Sequence, residues 1–423
     1  MDAPIADLVA VVLALTAALA YVNVRWLRLP SAIGLLLTAL LSALLLKGAA
    51  WMGLVRLDPV VRLLETINFR ETLLDGMLGP LLFAGALHVD WGTLRDQRWP
   101  VLLLATAGTL LAALLIGGAL WVTAGWFGVA MPFAWALAFG VLVAPTDPIA
   151  VGALLKKAGV PPRLQVAITG ESLFNDGIGV VLFLVVLGML GSDGGMAPGA
   201  VAELLAVEVG GGVLFGLALG ALAVRLLRAV DDYQVEILAT LALVSAGYAA
   251  ARHLHVSGVL GMVVLGLVIG QSGRAVALSA RTQARLDEFW ELVDEFLNAA
   301  LFVLIGVEIL VLDVQRPALW LGVVMIPLVL LARFASVVVP LAPLRRRLAW
   351  PAGSYRLLTW AGVRGGISIA LALALPAGAP RTTILTVTYV VVCFSILVQG
   401  LTMERVARRL LGGAAGGTTS HAH

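Results

Sequence analysis

The feature that most constrains this chain is a succession of long apolar segments separated by short polar connections. Apolar residues make up 61% of the 423 residues. Only 13% are charged, against about a quarter in ordinary soluble domains. A helix that crosses a bilayer needs about 20 mostly apolar residues. The segmentation therefore predicts an all-α polytopic membrane protein and excludes a soluble globular, disordered or nucleic-acid-binding chain.

Apolar segments bounded by proline, glycine or charge predict about thirteen transmembrane helices. The first seven are Ile5–Asn23, Ser31–Leu46, Leu73–Val89, Val101–Trp121, Phe133–Leu155, Leu164–Leu190 and Val201–Val224. The remaining six are Tyr233–Ala251, Val256–Gly270, Phe296–Leu312, Ala318–Leu341, Leu357–Leu375 and Thr382–Val398. We expect residues 1–411 to form a single transmembrane unit and residues 412–423 to form a short flexible tail.

The distribution of basic residues predicts the orientation of the chain. Connections after odd-numbered segments, together with the C-terminus, carry 19 Lys and Arg, and those after even-numbered segments carry 7. Because cytoplasmic connections hold the excess of basic residues, the N-terminus is predicted outside and the C-terminus in the cytoplasm.

Ionisable groups at membrane depth are costly, so each one is a candidate for function. Asp147, Glu171, Asp176 and Arg364 lie deep in their segments and beside helix breakers. Four further charged residues lie within about two turns of a segment end, and we expect them to cap a helix or reach the interface. They are Glu203, Glu236, Glu308 and Arg333.

Two segments contain breaks in the helical pattern. Pro145 and Pro148 flank Thr146-Asp147 in the fifth segment and remove two backbone donors. The twelfth segment carries Gly362-Val363-Arg364-Gly365-Gly366, seven segments later and therefore in the opposite orientation. Interrupted helices at matching places in oppositely oriented halves indicate an inverted-repeat transporter with two discontinuous crossing helices. There Asp147 could neutralise positive half-helix ends and Arg364 negative ones. A simple proline kink is the alternative.

The sixth segment concentrates polar side chains within a few residues, in Gly170-Glu171-Ser172-Leu173-Phe174-Asn175-Asp176-Gly177. In a helix, Ser172 and Asp176 share one face and offer hydroxyl and carboxylate oxygens suited to a hard cation such as Na⁺. Glu171 and Asn175 share the neighbouring face, where Glu171 could pair with Arg364. A polar packing seam without a transport role is the alternative.

These motifs, in this order, resemble the monovalent cation:proton antiporters of the NhaP/NHE type. The resemblance rests on Thr146-Asp147-Pro148, on the sixth-segment motif and on Gly362-Val363-Arg364-Gly365-Gly366-Ile367. The stretch from Phe296 to Glu308 also looks like a pattern of that family.

The resemblance implies a role for each motif residue. Asp176 would bind a proton or a cation alternately, Thr146 and Ser172 would supply cation-coordinating oxygens, and Asp147 would stabilise the helix crossing. Asn175 marks the Asn-Asp branch, whose members exchange one cation for one proton without net charge movement. Glu171 and Arg364 match a buried structural ion pair.

The resemblance also implies an assembly and a set of partners. The chain would form a homodimer in the cell membrane, with interleaved dimerisation and transport subdomains that move relative to each other. It would act as an antiporter that carries Na⁺ or Li⁺ against H⁺ in sodium transport and pH homeostasis. No cofactor, enzymatic activity or nucleic-acid partner is expected.

One position departs from the family pattern. Leu82-Phe83-Ala84-Gly85 carries Ala84 where the family often has an acid, and Asp75 lies too far along the helix to replace it. The preferred ion therefore stays open. K⁺/H⁺ exchange, a cation channel or a sensor are alternatives, and an intramembrane hydrolase would need a complete Gly-x-Ser-x-Gly motif, whose second glycine is here Phe174.

Overall fold

A computed structural model of the chain describes residues 5–56, 72–147, 149–191, 197–273, 279–312, 314–348 and 350–412. Throughout these ranges every regular element is helical, which confirms the all-α class. Residues 413–423 of the predicted tail and Pro148 of the predicted break lie outside the described residues.

The helices are named here in chain order. The first are α1 (Ile5–Val22), α2 (Ser31–Trp51), α3 (Leu78–Leu87), α4 (Trp91–Asp96), α5 (Arg98–Phe127), α6 (Phe133–Val143), α7 (Ile149–Lys157) and α8 (Pro162–Gly191). They are followed by α9 (Gly199–Ala229), α10 (Tyr233–His253), α11 (Gly258–Val268), α12 (Ala280–Val307) and α13 (Arg316–Leu341). The last are α14 (Ser354–Ala361), α15 (Gly366–Leu373), α16 (Ala379–Phe394) and α17 (Leu401–Gly412).

Each predicted transmembrane segment overlaps a helix. Over the described residues, eight helices are long and apolar enough to cross a bilayer, and three shorter apolar helices join them. The fifth segment is divided into α6 and α7 and the twelfth into α14 and α15, which confirms the two discontinuous helices. The third segment begins with the π-helical turn Thr72–Met77, where the side chain of Asp75 is not described.

The tenth segment differs most from its prediction. It is predicted from Phe296, but α12 begins at Ala280 after a cap in which the Ser279 hydroxyl accepts from the Thr282 backbone N–H at 3.4 Å. The added turns are rich in charge, with Trp290 and Leu286 buried on one face. An amphipathic helix of this kind escapes a search for continuous apolar residues.

Helix α8 lies in the interior, where it contacts α5, α6 and α11. Helix α13 packs against α5, α14 and α16, and α15 reaches α6 and α12. The two interrupted helices and the middle of α8 are therefore enclosed by other helices. Close approach depends on Gly179 of α8, because a methyl group there would collide with the Pro145 ring.

Candidate functional site

The two interrupted helices meet through their extended segments. The Asp147 backbone N–H donates to the Val363 carbonyl at 2.7 Å. The Arg364 Nη1 donates to the carbonyls of Ala144 at 2.5 Å and Pro145 at 3.0 Å, which follow the C-terminal end of α6. This arrangement places a cation on carbonyls that the end of a half-helix leaves without intrahelical partners.

The opposite charge lies at the start of α15. The Asp147 carboxylate packs so closely against Gly365 that a methyl group on this glycine would collide with it. Gly365 is the residue that caps the N-terminus of α15. A carboxylate there is stabilised by the N–H groups of the first helical turn, which have no acceptor within the helix. Asp147 and Arg364 thus lie at half-helix ends of opposite sign.

A hydroxyl pair joins the crossing to α8. The Thr146 Oγ1 and Ser172 Oγ lie 2.9 Å apart, and both side chains are buried. The Asn175 Nδ2 donates to Thr146 Oγ1 at 3.0 Å, while the Thr146 backbone N–H donates to Asn175 Oδ1 at 3.4 Å. Because the backbone N–H can only donate, the amide oxygen of Asn175 must face it. Asn175 therefore braces Thr146 against α8.

Asp176 lies one turn from Ser172 on the same helix and is only 6% exposed. Its carboxylate is within electrostatic range of Asp147. Within the described ranges, no hydrogen-bond donor or cation contacts it. A nearly buried carboxylate one turn from the Thr146–Ser172 hydroxyl pair can take a proton or an unhydrated cation, because either one neutralises its charge.

The predicted ion pair between Glu171 and Arg364 is wrong, because a different arginine pairs with Glu171. Glu171 is held by Arg333 of α13 in a two-point contact, with Nη1 on Oε1 and Nη2 on Oε2, the latter at 2.8 Å. Arg333 is 4% exposed and also donates to the Leu358 carbonyl at 3.3 Å. Arg364 instead donates hydrogen bonds to the carbonyls of Ala144 and Pro145 at the helix crossing.

The predicted position of Arg333 at the membrane interface is also wrong. Arg333 lies within about two turns of the end of its segment, which suggested that its side chain reaches the interface. Its face of α13 turns inward to α8, so the charge is buried and needs an acid. The signal available in the sequence was an arginine in a helix that carries no acid.

Ala84, the departure from the family pattern, is fully buried in α3. It belongs to an apolar cluster with Phe83 and Leu87, and no charged residue is part of this cluster as far as the structure describes it.

Crossed, interrupted helices around a buried carboxylate define the class of the protein: it is a polytopic secondary transporter of the antiporter fold. The fold matches the solved structure of the sodium proton antiporter MjNhaP1 from Methanocaldococcus jannaschii with a TM-score of 0.74. That match covers 96% of this chain and 98% of the other at 21% identity.

The sequence comparisons identify the family. The family model described as "Sodium/hydrogen exchanger, transmembrane" matches residues 11–409. The chain is 47% identical to the Na(+)/H(+) antiporter NhaP of Pseudomonas aeruginosa, over 96% of this chain and 97% of that protein. It is 34% identical to the Na(+)/H(+) antiporter NhaH of Halobacillus dabanensis, over 87% and 91%. The chain belongs to the sodium/hydrogen exchanger family.

Proposed function

We propose that this protein exchanges Na⁺ or Li⁺ for H⁺ across the membrane and that both ions compete for the Asp176 carboxylate. One observation carries the proposal: Asp176 is the buried acid of the site that no described cation or donor occupies. Glu171 is neutralised by Arg333, and Asp147 lies at the N-terminal end of α15. Asp176 is therefore the acid left to bind what is transported.

Competition at one carboxylate is sufficient for coupled exchange. A protonated Asp176 is neutral, and a Na⁺ ion paired with the carboxylate is neutral as a unit. The empty anion carries an uncompensated charge that is costly to move through a low-dielectric barrier. Only the two loaded forms then cross, which gives exchange of one cation for one proton without net charge movement.

The cation-binding oxygens would come from three side chains. Thr146 and Ser172 supply the hydroxyl pair, and Asp176 supplies the charge. These are hard ligands that suit alkali cations. Asn175 positions Thr146, Asp147 stabilises the crossing, and Glu171, with Arg333, fixes α8 against α13.

The assembly and setting form part of the same proposal. Two copies would associate in the cell membrane, with the N-terminus outside and the C-terminus in the cytoplasm, and residues 1–411 would act as one unit of dimerisation and transport parts. Exchange in this setting would serve sodium transport and pH homeostasis. Light scattering of the detergent-solubilised protein should give twice the mass of one chain.

Reconstituted vesicles test the exchange. A pH gradient is imposed, and Na⁺, Li⁺ or K⁺ is added in turn while a pH-sensitive dye reports proton movement. We expect Na⁺ or Li⁺ to dissipate the gradient saturably, and dissipation by K⁺ alone would favour K⁺/H⁺ exchange. The membrane potential is then clamped at different values. A strong dependence of the rate on potential would contradict one-for-one exchange and would favour a channel.

The variants Asp176→Asn and Asp176→Ala are the decisive comparison. Both should abolish cation-driven proton flux, because neither side chain can carry the alternating charge. Both should fold, because the described part of the chain gives the carboxylate no partner to lose. Robust Na⁺-driven flux in Asp176→Ala vesicles would overturn the assignment.

A further inference from the structure

A groove of about 620 Å³ opens on the side of the protein, away from the cation site. Its walls are mostly apolar and come from α4, α5, α8, α9 and α11. Phe174 and Ile178 form the α8 wall, four residues apart and on one face. Asp176 lies about 200° around the helix from Phe174, at 100° per residue, and so points to the opposite side. The groove therefore contacts the back of the helix that carries the transport carboxylate.

One end of this groove is basic. Arg95 of α4 and Arg98 at the start of α5 both line it and both are exposed. The Arg98 guanidinium lies 5.8 Å from the centre of the Trp99 ring, a contact that leaves its charge without a counter-ion. Within the described residues, no carboxylate pairs with either arginine. This end of the groove can therefore accept an anion.

The neighbouring acids, Asp90 and Asp96, make contacts elsewhere. Asp90 caps α4 by accepting from the backbone N–H groups of Gly92 at 3.1 Å and Thr93 at 3.2 Å. Hydrogen bonds from the Thr93 hydroxyl and backbone hold the pKa of the Asp90 carboxyl below its usual value, so it stays ionised on its own helix. Asp96 lines a separate cavity together with Arg163.

The groove runs from the basic start of α5 along this helix, which is long and apolar enough to cross a bilayer. Along α5 it extends from Arg98, the first residue of that membrane-spanning helix, to Thr106. Eight residues of helix correspond to about 12 Å along the helix axis. Trp91 lies at the basic end and is 38% exposed, a position typical of aromatic side chains at the headgroup level.

We propose that this groove binds an anionic phospholipid, with its phosphate on Arg95 and Arg98 and an acyl chain along Phe174 and Ile178. The charge complementarity at the interface and the apolar walls at acyl depth both fit this one molecule. A free phosphate fits the basic end alone, and a zwitterionic lipid gains less there because its headgroup carries no net charge.

Direct binding is the first test and does not depend on transport. Delipidated protein in detergent is titrated with phosphatidylglycerol or phosphatidylcholine, and native mass spectrometry counts the bound lipid. Phosphatidylglycerol should bind the wild type more tightly. Arg95→Gln/Arg98→Gln should weaken it about thirtyfold, because each basic residue near an anionic headgroup contributes about a factor of five.

Two matched controls separate the groove from general attraction. Arg225→Gln/Arg228→Gln removes an exposed pair with the same spacing on the same predicted side, and should leave binding unchanged. Val209→Trp fills the groove from α9 and should weaken binding, whereas Leu214→Trp, at a side chain 69% exposed on the same helix, should not. Equal binding to all variants, or equal binding of phosphatidylcholine, would overturn the proposal. Competition by inorganic phosphate alone would assign the arginines to a free anion.

The effect on exchange is a second test, and it rests on the proposed function. A lipid against α8 adds a contact that must slide or break if this helix moves relative to α9 and α11. Vesicles with phosphatidylglycerol should therefore exchange at a rate several-fold different from phosphatidylcholine vesicles, and Arg95→Gln/Arg98→Gln should remove that difference. Lipid binding without any exchange would contradict the proposed function and leave the lipid site standing. Exchange without selective lipid binding would contradict the lipid site and leave the proposed function standing.

Discussion

At the scale of single residues, the contacts of the two buried arginines determine which acids of the site are neutralised. Arg333 neutralises Glu171, and Arg364 lies on the carbonyls of Ala144 and Pro145. The first contact removes Glu171 from the acids that could bind a cation, and the second accounts for the buried charge of Arg364. Asp176 lies one helical turn from Ser172, whose hydroxyl is 2.9 Å from that of Thr146, and the carboxylate is buried.

The pairing of Glu171 with Arg333 predicts an asymmetric mutational result. Arg333→Ala leaves Glu171 buried without a counter-ion and should cost about 3–5 kcal/mol of folding free energy, whereas Glu171→Gln/Arg333→Met should recover most of the loss. Yield and thermal unfolding of the purified variants measure this. If Arg333→Ala unfolds at the wild-type temperature, or if the double variant is no better than Arg333→Ala, the pair is not what holds α8 against α13.

The hydroxyl pair predicts a change in cation affinity. Ser172→Ala removes one of the proposed coordinating oxygens while leaving Asp176 in place, and the apparent KM for Na⁺ should rise about tenfold, a loss comparable to one hydrogen bond to a charged group. Stability should change little. Ser336→Ala is the matched control, because this buried serine donates only to the carbonyl of Arg333 in its own helix, at 2.9 Å. An equal rise in KM for both variants would remove Ser172 from the coordination shell.

At the scale of elements, the crossing of the two interrupted helices depends on close packing. Gly365 faces the Asp147 carboxylate and Gly179 faces the Pro145 ring, and at both positions the space for a side chain is already filled. The prolines and glycines of the sequence predicted that these helices break. They did not reveal that the Asp147 N–H reaches the Val363 carbonyl to join the two breaks.

Substitution of these glycines tests the crossing. Gly365→Ala and Gly179→Ala should each destabilise the protein by about 1–3 kcal/mol through overpacking and should slow exchange. Gly152→Ala, in the half-helix α7 with no atom near its Cβ position, should stabilise it by up to about 1 kcal/mol through helix propensity. Thermal unfolding and vesicle flux report both quantities. Wild-type behaviour of Gly365→Ala would mean that the crossing can open without loss of function.

At the scale of the whole molecule, the surplus of basic residues after odd-numbered segments predicts how the chain lies in the membrane. The helices supply the spans on which this count rests, and each predicted segment overlaps one of them. The prediction is sensitive to the number of spans, because one helix more or fewer would exchange the two sets of connections.

The single cysteine of the chain makes the orientation measurable. In a Cys393→Ala background, Ala3→Cys should react with a membrane-impermeant maleimide on intact cells, and Gly416→Cys should react only after permeabilisation. The same reagent and the same Cys393→Ala background are used for the two variants, so each variant is the control for the other. Labelling of Gly416→Cys on intact cells would invert the proposed orientation.

The sequence by itself determined the fold class and the positions of the breaks, and it predicted the residues of the cation site. It did so because a charge or a helix breaker in the bilayer core costs free energy, so each one that the sequence keeps there indicates a functional or structural role. Thr146, Ser172 and Asp176 could be named in this way. The bulk of α12 before Phe296 could not, since its amphipathic turns are not continuously apolar.

Only the tertiary structure decided which of two buried arginines neutralises Glu171. Arg333 and Arg364 lie on different helices, and sequence distance gives neither the face that a side chain occupies nor the direction in which a guanidinium points. Pairing depends on how α13 and the break before α15 are placed around α8. The proposed lipid groove is likewise a property of five packed helices, because its walls come from segments that the chain order keeps far apart.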